Sequence, residues 1–182
     1  MPRDLLKVRL NEISDRGLDL AFAPADPRYA AILAEIAGGD GATGNATVRL
    51  EEWPERVDVR GQVTAHIPQE CCRCLEPFTL TIERDVNQVL MKTGTAAPEA
   101  VPDQEIELSL RDLDRSELVG EEIDLGEILR EELVLAMPSK PLCRDACKGI
   151  CAGCGAELNS EPCTCVAQTD PRWDMLKQLK LD

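Results

Sequence analysis

The chain has 182 residues, 43% of them hydrophobic and only 3% aromatic, which is material for one ordinary domain with a small appendage. Its formal charge of −14 opposes phosphate backbones, whose binding rests on Lys and Arg. No apolar run approaches the ~20 residues of a membrane span.

The charge is unevenly placed. From residue 138 onward six bases (Lys140, Arg144, Lys148, Arg172, Lys177, Lys180) balance six acids, so the whole acidic excess belongs to residues 1–137. Between residues 103 and 133, twelve acids meet only Arg111, Arg115 and Arg130. Such a front repels nucleic acid and attracts a basic partner in a salt-dependent way. The first residues, MPRDLLKVRLNEIS, lack the apolar stretch and cleavage site of a signal peptide, which sets the expectation of a cytoplasmic protein.

Residues 5–10 and 18–22 read as short strands about a turn at Asp15-Arg16-Gly17. Asp26-Pro27 then opens a helix, with Asp at the N-cap and Pro at the first helical position. Tyr29, Ile32, Leu33 and Ile36 form its buried stripe, Gly38-Gly39 ends it, and residues 38–45 read as a flexible loop. Val48 and Leu50 alternate with polar residues, as do Val57, Val59, Gly61, Val63, Ala65 and Ile67. Arg56, Asp58, Arg60, Gln62, Thr64 and His66 take the opposite face. After an interruption, Phe78, Leu80, Ile82, Val86 and Leu90 resume the pattern. This period-2 alternation predicts an antiparallel sheet, open or barrel-like, with one wet face.

Residues 68–77 join the two long strands, and their prolines are expected to exclude ladder pairing there. The hairpin tip therefore carries Cys71-Cys72-Arg73-Cys74. Residues 93–104 have linker composition, and Ile106, Leu108 and Leu110 suggest a further strand. Asp124 opens a second helix with Glu127 three residues on, as in a capping box; Pro138 stops it. Asp170-Pro171 caps a last short helix with Trp173, Leu176 and Leu179. The fold class is α+β: residues 1–137 as an acidic unit, and residues 138–182 as a cysteine-rich, zinc-ribbon-like tail packed on it.

Chemistry concentrates in that tail. Six of nine cysteines fall in residues 143–165, at Cys143, Cys147, Cys151, Cys154, Cys163 and Cys165. Cys151-Ala152-Gly153-Cys154-Gly155 is a knuckle whose two thiolates can face one ion, and Cys163-Thr164-Cys165 completes four sulfurs at about 2.3 Å from zinc. Disulfides need an oxidising compartment, and a redox C-x-x-C would sit in a βαβ pattern that is missing. An iron–sulfur cluster also takes four cysteines, but glycine after the first knuckle favours zinc. Cys143 and Cys147 then remain, and the economical pairing sets them with Cys71 and Cys74 about a second zinc, leaving Cys72 spare. A single site in which Cys147 replaces a ribbon ligand is the alternative.

Little else carries chemistry. His66 is the only histidine and lies on a polar strand face, where it is read as solvated. There is no P-loop, dinucleotide fingerprint or paired-carboxylate arrangement, so no enzymatic activity is expected. A zinc hydrolase would need an open coordination position, which four sulfurs per metal deny.

Cys71-x-Arg73-Cys74-Leu75-Glu76-Pro77 between two long strands resembles the hallmark of the YceD family, the large ribosomal RNA subunit accumulation proteins. The likeness continues through IDLGEIL at residues 123–129, then Glu132-Leu133-x-Leu135-Ala136-x-Pro138. It ends in Cys147-Lys148-Gly149-Ile150-Cys151-x-x-Cys154-Gly155-x-x-Leu158-Asn159, Cys163-x-Cys165 and Asp170-Pro171-Arg172. It covers roughly residues 48–180 and implies a part in ribosome assembly, with no catalytic residues. The expected partner is a basic ribosomal protein or large-subunit ribosomal RNA, approached in the latter case by Lys140, Arg144, Lys148 and Arg172. The rival expectation is a redox or zinc sensor using its C-x-x-C thiols.

Overall fold

The computed structural model describes residues 6–92, 115–165 and 172. Strand β1 (Lys7–Arg9) and a 3-10 turn (Leu10–Glu12) lead to β2 (Leu18–Phe22) and helix α1 (Pro27–Ala37). Three long strands follow: β3 (Thr43–Glu52), β4 (Arg56–Glu70) and β5 (Pro77–Lys92). Then come β6 (Arg115–Leu118), β7 (Glu122–Asp124) and helix α2 (Leu125–Ala136). The main sheet runs β2-β3-β4-β5-β6, antiparallel except that β6 lies parallel to β5, and β1 pairs separately with β7. Among the described residues the sheet is open rather than closed into a barrel.

Alternation along the strands decides which face is dry. Val57, Val59, Val63, Ala65 and Ile67 of β4 are fully buried with Leu50 of β3, and Ile82, Val86 and Leu90 of β5 join them. Both helices lay their apolar stripes on this face, through Tyr29 and Leu33 of α1 and Leu125, Leu129 and Leu133 of α2. Full burial of such side chains contributes roughly 1.5–3 kcal/mol each. Tyr29 keeps its polar end satisfied by donating from its hydroxyl to the Thr64 carbonyl at 3.0 Å.

Each helix begins at an aspartate. Asp26 accepts from the Arg28 backbone N–H at 2.9 Å and from the Arg28 guanidinium, whose hydrogen bonds hold its carboxyl down at about 2. Asp124 accepts from the Glu127 N–H at 3.0 Å, and the Glu127 carboxylate reaches Arg130.

Three expectations need correction. Residues 43–45 are not loop: Thr43, Gly44 and Asn45 pair with His66, Ala65 and Thr64, because the long β4 offers a ladder that overrides weak strand propensity. The prolines do not end pairing either, since the β4–β5 ladder runs from Arg56↔Met91 to Glu70↔Pro77. Pro68 lies beyond the last β4 residue paired with β3, where the strand has one neighbour and a missing donor is tolerated. Asp58, on the face read as wet, is only 4% exposed; it is clasped by Arg56 at 2.8 Å, with Arg60 at 3.7 Å. The linker at 93–104, the strand about Ile106, Leu108 and Leu110, and the helix with Trp173, Leu176 and Leu179 lie outside the described residues. No helix among the described residues is long and apolar enough to cross a membrane.

Candidate metal centres

The fifteen-residue β4 and its partner β5 carry residues 71–76 to the end of the sheet, apart from the main core. There the tail returns. Cys72 N–H donates to the Pro141 carbonyl at 3.0 Å, and Ile150 N–H donates to the Arg73 carbonyl at 3.0 Å. The Arg73 guanidinium donates to the Cys147 carbonyl at 2.9 Å. Gly149, with φ of 75°, presses so close that a Cβ there would sit 2.9 Å from the Arg73 carbonyl oxygen.

Two knuckles built on one plan result. In the first, Leu75 N–H donates to the Cys71 carbonyl at 2.9 Å and Cys71 N–H to the Glu76 carbonyl at 3.0 Å. In the second, Gly155 N–H donates to Cys151 at 2.9 Å and Cys151 N–H to Ala156 at 2.8 Å. This turn needs a left-handed residue in its fifth position, supplied by Leu75 at φ 62° and Gly155 at φ 76°.

The sulfurs gather in two sets of four: Cys71, Cys74, Cys143 and Cys147, and Cys151, Cys154, Cys163 and Cys165, each set lying within 4.8 Å of one another. Cys71–Cys147 and Cys74–Cys143 are 3.8 and 3.7 Å apart; Cys154–Cys163 and Cys151–Cys163 are 3.7 and 3.3 Å. A tetrahedral ion with sulfurs at about 2.3 Å would space them about 3.8 Å apart, whereas a disulfide would bring them to about 2.0 Å. All nine cysteines are free thiols, with Cys72 exposed and outside both sets. The inner tetrad is buried, with Cys71, Cys74 and Cys147 at 0%, 5% and 3% exposure, and Phe78 and Leu142 pack against it. The outer tetrad is half-buried at Cys151 and Cys163 and exposed at Cys154 and Cys165.

The electrostatics of each cluster are in conflict without a cation. Burial works to raise the Cys71 thiol, but hydrogen bonds from the backbone of Cys143, Cys74 and Arg73 outweigh it and hold it at about 6. Cys74 gains a backbone hydrogen bond from Glu76, yet burial and the neighbouring thiols push it up to about 12. The outer tetrad repeats the split. Backbone hydrogen bonds from Cys154 and Gly153 bring Cys151 to about 6, and the crowding of Cys154 and Cys163 lifts Cys165 to about 12. Four thiols so placed resist becoming four thiolates; a bound dication removes that repulsion.

Lys140, Arg144, Lys148 and Arg172 are all exposed. His66 is exposed on the polar sheet face with Nδ1 3.2 Å from the Thr81 hydroxyl. Two residues with no assigned role in the sequence reading touch the site. One is Arg73; the other is Asn159, whose Nδ2 donates to Cys147 Sγ at 3.5 Å and whose Oδ1 accepts from Lys148 N–H at 2.9 Å. The available signal was that both stand in the motifs that carry the family resemblance, Asn159 also being a short polar side chain in a loop where local backbone bonding is common.

Residues 59–180, the segment holding both tetrads, match the family model described as "Large ribosomal RNA subunit accumulation protein YceD". The chain belongs to the YceD family. An uncharacterized protein of Mycobacterium tuberculosis is 32% identical over 144 residues, 79% of this chain and 65% of that protein. One of Mycobacterium leprae is 30% identical over 139 residues, 76% of this chain and 60% of that protein. The match thus spans just under two thirds of the length of these mycobacterial relatives. A protein of Arabidopsis thaliana named large ribosomal RNA subunit accumulation protein YCED homolog 1, chloroplastic, is 41% identical over 44 residues, 24% of this chain and 14% of its own. No solved structure gives a significant match.

Proposed function

We propose that this YceD protein is a non-enzymatic, cytoplasmic zinc protein of large ribosomal subunit biogenesis, with one zinc in each tetrad and a basic ribosomal protein as partner. The observation that carries the reading is the assembly of the family's cysteine motif into two four-sulfur clusters across the hairpin and the tail. Four protein sulfurs per ion fill a tetrahedral sphere and leave no position for a substrate or activated water, which favours a structural role. Zinc suits an all-thiolate tetrahedron better than harder cations do. For the partner, Glu117, Glu121, Glu122 and Glu131 are exposed on and around β6, β7 and α2, part of the acidic excess of the chain. Such a surface holds cationic protein and masks its charge until RNA competes for it. The exposed Lys140, Arg144, Lys148 and Arg172 on a charge-balanced tail give the second route, contact with ribosomal RNA.

The test combines metal analysis of the purified chain with capture of partners from lysate at low and high salt, with and without RNase. The expected result is two zinc ions per chain. It includes an identified basic ribosomal protein that survives RNase and dissociates in high salt. One zinc or none overturns the two-site reading, and capture abolished by RNase turns the assignment to RNA. The sensor reading has one observation in its favour, the exposure of Cys154 and Cys165. Alkylation separates the two: structural thiolates resist until chelator is added, whereas sensor thiolates react directly.

A further inference from the structure

We propose that the two tetrads take up metal as a coupled pair, and that Asn159 is the positioning residue that links them; this rests on the metal reading above. The two clusters differ in how the chain must close to build them. All four outer cysteines fall within residues 151–165. The inner cluster must join Cys74 to Cys143 and Cys71 to Cys147, partners 69 and 76 residues apart. Loop-closure entropy therefore weighs more on the inner site, which gains most from anything that holds its last strand of chain in place.

The outer loop provides that hold. Ile150 bridges Glu157, Cys151 N–H donates to Ala156 at 2.8 Å, and Leu158 N–H donates to Gly149 at 2.9 Å, so residues 149–158 fold back on themselves as a short ribbon. An ion at Cys151, Cys154, Cys163 and Cys165 would tie the first arm and the turn of this ribbon to the segment that follows its second arm. At its end stands Asn159. Its Oδ1 accepts from Lys148 N–H at 2.9 Å, and its Nδ2 points back to Cys147 Sγ, an inner sulfur, at 3.5 Å. The first arm of the ribbon reaches the other half of the inner site, through Ile150 N–H, which donates to the Arg73 carbonyl at 3.0 Å. The Asn159 side chain thus joins the segment held by the outer tetrad to an inner ligand, beside the backbone contact at Ile150. Groups that hydrogen-bond a metal ligand fix its orientation and tune its donor strength. Coupling of this kind is reciprocal: whatever factor the outer ion adds to inner affinity, the inner ion adds to outer affinity.

Cobalt(II) titration of the full chain against a competing chelator tests this, with thiolate-to-cobalt absorption reporting each bound ion. Cys163→Ser/Cys165→Ser leaves the inner site alone, and Cys71→Ser/Cys74→Ser leaves the outer site alone. The expected result is two ions in the unsubstituted chain, with each isolated site about 10-fold weaker than in the intact pair. Asn159→Ala should reproduce the inner-site loss with every cysteine present. Asn159→Asp keeps the acceptor for Lys148 N–H but sets a carboxylate against both Cys147 Sγ and the Glu157 carboxylate, so it should not rescue affinity. The loaded inner site of Asn159→Ala should also show a shifted thiolate-to-cobalt band, because Cys147 has lost its hydrogen bond; a merely structural Asn159 would leave that band unchanged. Two ions that bind independently overturn the coupling, and Asn159 variants within twofold of the unsubstituted chain overturn its assignment to Asn159; either result leaves the metal reading standing. A chain that takes up no cobalt overturns the metal reading itself.

Discussion

Leu75 and Gly155 occupy equivalent positions in the two knuckles, at φ 62° and 76°. Glycine adopts that conformation without steric penalty, whereas an L side chain costs on the order of 1–2 kcal/mol. Leu75 is 57% exposed, so packing offsets little of that strain. Leu75→Gly should therefore stabilise the metal-loaded protein by about 1 kcal/mol, read as a higher urea midpoint at unchanged m-value. A lower midpoint would show that the leucine side chain holds the tail through contacts. This strain was not legible in the sequence, which sets Leu75 in the family hallmark but does not give its φ. Spacing made two sets of four cysteines the economical grouping, and the alternative that gives Cys147 to the ribbon stayed open until the fold set Cys147 beside Cys71. Asn159 was not, because an amide acquires its role only when the fold decides which sulfur stands 3.5 Å away.

At the scale of elements, periodicity carried the reading where one face is buried against helices. The alternation in β4 and β5 and the stripe of α1 were readable for that reason, and the two aspartate caps from local chemistry. It failed where a neighbour decides. The first residues of β3 are strand because β4 is there to pair with, and β6 runs parallel to β5, a relation that no local pattern encodes. The α1 cap gives a test with a definite sign. Arg28 hydrogen bonds depress the Asp26 carboxyl from 3.8 to about 2. A folded-state value below the unfolded one gives stability that is complete above about pH 4 and lost as pH falls through 2. Asp26→Ala should accordingly lower the thermal midpoint by a few degrees at pH 7, with the gap between variant and parent closing toward pH 2. A gap that persists unchanged at pH 2 would show that the cap acts through shape rather than through the carboxylate.

At the scale of the whole molecule, the apolar interior of the described residues comes in two parts of very different strength. The main cluster joins the sheet to α1 and α2, while the second is little more than Cys71, Cys74 and Cys147 with Phe78, Leu142 and Cys143 against them. The second is too small to order residues 138–165 by burial alone, so on the proposed zinc reading the free energy of metal binding would supply most of the order there. Chelation should then remove amide-exchange protection from the tail and from residues 71–78 while leaving Val57, Val59, Val63 and Val86 protected, and added zinc should restore it. Unchanged protection throughout would mean that the tail docks without metal. The same experiment divides the two routes to a ribosomal partner, because the acidic excess lies entirely in residues 1–137 and the tail is charge-balanced. If the acidic front holds a basic protein, chelator-treated protein keeps that partner with its salt dependence intact, because the sheet that presents the acids is still folded. Loss of the partner together with the metal would place the contact on the tail, where Lys140, Arg144, Lys148 and Arg172 are exposed to meet RNA.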